Sequence, residues 1–209
     1  MALTGSIPNY AQTDPDVRLM LQVQEDDAVA FEELVTRYQT RLLHLLEHLV
    51  HRKEQAEDLV QEVFLRVYRA RKSYSAQAKF STWLFTIANN VASNALRKLS
   101  RRKEVSIVGS TSGESPAKPM DEMAMAASGL MPARLLDKAE MSDVVRLAVQ
   151  SLNERQRTAL LLSRFEHMSY AEIADVMDLT PQAVKSLLSR ARGNLKTILE
   201  SYFQDGARP

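Results

Sequence analysis

The chain has 209 residues, 45% of them apolar, which suffices for one large core or two small ones. It has no cysteine, no basic-then-apolar leader and no run approaching the about 18 apolar residues of a membrane span, so disulfides, thiolate metal sites and membrane insertion are excluded and a soluble cytoplasmic protein is expected. The net charge of +1 argues against indiscriminate coating of nucleic acid, but the charges are segregated: Arg97, Lys98, Arg101, Arg102 and Lys103 form one basic block, Lys185, Arg190, Arg192 and Lys196 another, and acids collect at 25–27, 54–62 and 121–140.

Helical periodicity dominates residues 14–103, with no strict alternation of the kind a half-buried strand needs. Asp14 before Pro15 reads as an N-cap with proline at the first helical position, opening a short helix through Gln24. Phe31, Leu34, Val35, Tyr38, Leu42, Leu45, Leu46 and Leu49 form the next apolar stripe. Ala56, Leu59, Val60, Val63, Phe64 and Val67 repeat the helical spacing, and Trp83, Leu84, Ile87, Ala88, Val91, Ala92, Ala95 and Leu96 complete the unit. Over residues 105–133 the pattern stops, and Gly109, Gly113, Pro116, Pro119, Gly129 and Pro132 break the chain, which predicts a linker between domains. Helical pattern returns over 134–203. The fold class is therefore all-α: helical domains at 14–104 and 134–203 joined by a flexible linker.

The C-terminal domain carries a helix-turn-helix. Ser169 with Glu172 three residues on is a capping box; Ile173, Ala174 and Met177 supply a buried side, and Asp178-Leu179 make a turn in which aspartate tolerates a left-handed backbone. Thr180-Pro181 restarts a helix, and Val184, Leu188, Ala191 and Leu195 share its inner sector. Gln182, Lys185, Ser186, Ser189, Arg190 and Arg192 occupy or flank the outer one, where Gln and Arg can pair with base edges while Ser and Lys fix phosphates. A solvated polar face on an ordinary helical hairpin is the plainer alternative.

Two faces of the N-terminal domain stand out. Asp58, Gln61, Glu62 and Leu65 lie opposite an apolar stripe, and a leucine within an acidic strip is a candidate protein contact. Thr86, Asn89, Asn90, Ser93, Asn94 and Arg97 form the polar face of the last long helix, where mere solvation would favour Glu, Lys and Gln. Amides leading into a basic block suit hydrogen bonds to bases beside phosphate contacts. The preceding loop, 73–79, is bounded by Tyr74, Lys79 and Phe80 with Trp83 behind it; aromatic rings here can stack unpaired bases, Tyr74 being the better candidate and Trp83 the expected core residue.

The stretches AEDLVQEVFLRVYRA, FSTWLFTIANNVASNALRK and SLNERQRTALLLSRFEHMSYAEIADVMDLTPQAVKSLLSRARGNL, in that order, closely resemble bacterial sigma factors of the extracytoplasmic-function group. The resemblance implies a non-enzymatic promoter-recognition subunit, without cofactor, whose partners are core RNA polymerase, promoter DNA and an anti-sigma factor. It assigns Asp58, Gln61, Glu62 and Leu65 to polymerase docking, Tyr74, Lys79, Phe80, Asn89, Asn90, Asn94, Arg97 and Lys98 to recognition and opening of the minus-ten element, and Gln182, Lys185, Ser186, Ser189, Arg190 and Arg192 to the minus-thirty-five element. Leu187 departs from the family, whose members often carry arginine there. Relatives thread the linker toward the polymerase active-site channel.

A plain dimeric helix-turn-helix regulator would explain the C-terminal half but leave the Asn-rich helix and acidic strip without a purpose. His44, His48 and His51 fall at i, i+4 and i+7, a spacing able to chelate zinc, although a solvated histidine-rich face is the simpler reading. Met120, Met123, Met125 and Met131 are expected to be adaptable linker contacts.

Overall fold

The computed structural model describes residues 10–108 and 138–206. Among them every regular element is a helix: α1 (Tyr10–Thr13), α2 (Pro15–Gln24), α3 (Ala28–Val50), α4 (Lys53–Ala70), a 3-10 turn (Arg71–Ser73), α5 (Phe80–Val108), α6 (Lys138–Ser151), α7 (Glu154–Arg164), α8 (Tyr170–Met177) and α9 (Pro181–Gly206). Most of the expected linker, with its methionines, lies outside the described residues, as do 134–137. Its first four positions do not: α5 continues past 104 to Val108, because no Gly or Pro interrupts the chain before Gly109.

Caps set the helix starts. Asp14 accepts from the Asp16 amide through Oδ1 at 2.9 Å, while its Oδ2 accepts from the Phe80 amide at 3.1 Å. One carboxylate thereby ties the starts of α2 and α5 together, satisfying one orphan amide of each. Asp27 caps α3 through the amides of Val29 and Ala30. That helix stops at His51, whose φ of 60° is left-handed and whose amide bonds the Glu47 carbonyl.

The first four long helices meet over a core in which Met20, Leu34, Leu42, Leu46, Leu49, Val63, Phe80, Leu84 and Phe85 are all fully enclosed. Asp16 accepts from the Tyr38 hydroxyl at 2.5 Å and also pairs with Arg37, so the phenol reaches a partner at the edge of this core. In the C-terminal group α7, α8 and α9 enclose Leu161, Leu162, Ile173, Val184, Leu188 and Ala191. The two groups are in contact: α5 lies against α8 and α3 against α7, and the buried apolar residues form a single cluster. That closed arrangement decides which faces of the molecule reach solvent.

Candidate nucleic-acid interface

The helix-turn-helix follows from its local chemistry. The Ser169 hydroxyl accepts from the Glu172 amide at 3.3 Å and the Glu172 carboxylate accepts from the Ser169 amide at 2.7 Å, completing the capping box. Asp178 turns the chain at φ 53° and ψ 56°, and Thr180 caps the next helix by accepting from the Ala183 amide at 3.2 Å. With Val184, Leu188 and Ala191 fully buried, Gln182, Lys185, Ser189, Arg190 and Arg192 all point to solvent. Ser186 is partly covered and its hydroxyl donates to the Gln182 carbonyl at 3.0 Å. Leu187 packs partly against the core, an environment that suits an apolar side chain.

On α4, Asp58, Gln61 and Leu65 are exposed, Leu65 to 50%, while Glu62 bonds Arg66 at 2.7 Å. That hydrogen bond holds the Glu62 carboxyl below the usual range. Tyr68, one turn beyond Leu65, extends the same exposed strip, with Arg71 stacked 4.0 Å above its ring. Its i+3 spacing from Leu65 is the signal in the sequence that marks it as part of that strip.

The minus-ten candidates divide. Asn90, Asn94, Arg97 and Lys98 are exposed on α5. Lys79 and Asn89 instead face the C-terminal group: Lys79 pairs with Glu172 at 2.8 Å, and Asn89 donates to the Val176 carbonyl at 3.3 Å. Burial would raise the Glu172 pKa, but Lys79 and the Ser169 bonds outweigh it and hold the carboxyl below its ordinary value. Ser93 on the same face donates to Glu154 at 3.0 Å. A polar cleft of about 390 Å³ opens here, lined by Asn89, Ser93, Arg97, Glu154, Arg155 and Thr158 among others.

The expectation for the aromatic rings is reversed. Tyr74 is only 6% exposed and Phe80 is fully enclosed, so neither presents a face to a base in this conformation. Tyr74 packs at 4.9 Å from Trp83 and 6.5 Å from Phe80, ring centre to ring centre, and Gln24 donates to its carbonyl, fixing the loop inward. Burial also pushes the Tyr74 phenol upward in pKa. Trp83, expected in the core, is the partly exposed ring. The three histidines do not share one helical face either, since His51 leaves α3 in its left-handed turn and meets Arg157. No three His, Cys, Asp or Glu side chains among the described residues are placed to hold a metal ion.

Residues 34–102 match the family model for sigma-70 region 2, and residues 142–195 that for sigma-70 region 4. The RNA polymerase sigma-H factor of Pseudomonas aeruginosa is 33% identical over 197 residues, spanning 92% of this chain and 97% of its own length. The chain belongs to the sigma-70 family of RNA polymerase sigma factors.

Its relatives place it in the extracytoplasmic-function group: the sigma-E factor of that group from Escherichia coli K12 is 34% identical, over 85% of this chain and 90% of its own. Among solved structures, the sigma factor RpoE of Bartonella quintana, in complex with the anti-sigma factor NepR, matches with a TM-score of 0.60 at 26% identity, over 81% of this chain and 96% of that one. CnrH, solved with the cytosolic domain of CnrY, shares the fold at a TM-score of 0.64 and 23% identity, over 90% and 99%. The sigma factor directs promoter-specific initiation by binding core RNA polymerase and recognising the minus-thirty-five and minus-ten promoter elements. No helix among the described residues is long and apolar enough to cross a membrane.

Proposed function

We propose that these tasks fall on three exposed faces. Asp58, Gln61, Glu62 and Leu65 dock core polymerase; Asn90, Asn94, Arg97 and Lys98, joined by Lys79 and Asn89 once the domains part, hold the minus-ten strand; Gln182, Lys185, Ser186, Ser189, Arg190 and Arg192 contact the minus-thirty-five element. The observation that carries this reading is the sorting on α9, where the inner side chains are fully buried and the outer ones are polar or cationic and solvent-facing. An exposed leucine within an acidic strip supports the docking face in the same way.

The Tyr74, Phe80 and Trp83 cluster forms the wall behind the minus-ten face, with Trp83 the ring nearest a captured base. Opening the duplex costs a few kcal/mol per extruded base, so region 2 must supply that much differential affinity for the unpaired strand. The sigma factor contributes no bond-making chemistry and needs no cofactor; polymerase supplies the catalysis. An anti-sigma partner is expected because the Bartonella relative was solved with one. The cytoplasm is the compartment in which polymerase and promoter are met.

The test is transcription in vitro with purified core enzyme on a promoter library, comparing wild type with Asp58→Ala and Arg190→Ala. Wild type should initiate at a shared two-element sequence, Asp58→Ala should lose affinity for core enzyme, and Arg190→Ala should lose discrimination at the upstream element while still binding core. Unchanged promoter choice in Arg190→Ala would remove α9 from the assignment.

A further inference from the structure

The closed packing of the two domains contains an arginine that the promoter-reading scheme does not use. Arg157 on α7 is 7% exposed, and no carboxylate among the described residues bonds it. Its guanidinium instead donates to carbonyls within its own domain, from Nε to Val149 at 3.1 Å and from Nη2 to Leu152 at 2.7 Å and to Gln150. The remaining nitrogen, Nη1, crosses to the other domain, donating to the His48 carbonyl at 3.3 Å and approaching His51 Nε2 at 2.6 Å. Guanidinium has donors only, so His51 Nε2 must be the acceptor and its ring must be neutral, with the proton on Nδ1.

We propose that the Arg157–His51 contact is a proton-sensitive latch: it holds the region 4 domain over the minus-ten face when His51 is neutral and releases it when His51 is protonated. Protonation turns Nε2 into an N–H, which abolishes the acceptor and sets a second cation against Arg157. His51 as a residue is exposed, so solvent reaches Nε2 as soon as Nη1 moves off it.

The surrounding charges give the latch its direction. Partial burial, then Arg157, then His48 hold the His51 pKa below its ordinary 6.5 in the closed form. From α6 the carbonyls of Val149 and Gln150 meet the guanidinium, and Asp143 and Arg146 on that helix pair with each other. Glu154, the carboxylate that acts on Arg157, is bonded to Ser93. A base whose pKa is depressed in the closed form stabilises that form above its open-state pKa, and the stabilisation fades as pH falls through the window below 6.5. The neighbouring Lys79–Glu172 pair does not titrate there, because Glu172 already lies below its ordinary 4.5.

The consequence for promoter opening rests on the minus-ten assignment, because the residues that the region 4 domain engages include Lys79 and Asn89. The latch itself does not, and its test needs neither polymerase nor DNA. The chain has no cysteine, so Glu57→Cys and Lys196→Cys, both at exposed positions in different domains, give one dye pair for energy transfer. Transfer should change reversibly between pH 8 and 5.5 with a midpoint below 6.5, while far-UV circular dichroism stays constant. His51→Gln retains a neutral acceptor that cannot protonate and should abolish the response, whereas His48→Gln should keep it. A flat wild-type profile, or the same transition in His51→Gln, would overturn the proposal. Failure of transcription with an intact pH response would count against the promoter assignments alone.

Discussion

Asp14 serves two helices with one side chain, one oxygen on the start of α2 and the other on the start of α5. Removing it orphans amides at both ends. Asp14→Ala is therefore expected to cost about 1–3 kcal/mol, more than a single exposed cap, read as a lower urea midpoint for the region 2 domain. Asp14→Asn, which keeps one acceptor, should fall between the two. The aspartate before a proline is legible as a cap from sequence alone. Its second bond joins residues 66 apart in the chain, and no local pattern reports such a meeting. Tyr74 carries the same lesson with the opposite outcome: a tyrosine in a polar loop looks available for stacking, but three aromatic rings close on one another and withdraw it.

Helix α9 shows how periodicity divides labour within one element. Leu188 and Arg190 are two residues apart, so at about 100° per residue they point to nearly opposite sides. Leu188 is fully buried and Arg190 exposed. Leu188→Ala should therefore destabilise the region 4 domain by about 2–5 kcal/mol through the cavity it leaves. Arg190→Ala should leave the thermal transition within about 0.5 kcal/mol of wild type and instead weaken upstream-element binding by about 1–3 kcal/mol. Unfolding and fluorescence-anisotropy titration of the same two variants check both halves. The start of α9 and the capping box of α8 needed no tertiary information, because Ser169, Glu172, Thr180 and Pro181 act within one turn of themselves.

In the molecule as a whole the two domains lie against each other, and part of the face proposed for the minus-ten element is the surface they share. Initiation at two separated promoter elements requires each domain to reach its own, so the closed form should be incompetent. Arg41 and Glu166 form an ion pair across the interface, away from the DNA-reading residues, and offer a place to lock it. The Arg41→Cys/Glu166→Cys double variant should support transcription, lose it when a short reducible bis-thiol cross-linker is added, and regain it on reduction. Persistent activity in the cross-linked protein would show that closure does not hinder initiation.

Several features were legible in the sequence itself: an all-α chain, the helix-turn-helix, the acidic strip that ends in Leu65, and the amide-rich face of α5. Each depends on residues within a turn or two of one another, where spacing and cap chemistry suffice. Tertiary structure alone decided that Trp83 rather than Tyr74 edges into solvent, that Lys79 and Asn89 are held by α8, and that His51 leaves its helix to meet Arg157. Those outcomes rest on pairs of residues distant in the chain, brought together by burial of apolar faces, and such packing leaves no period in the sequence from which to predict them.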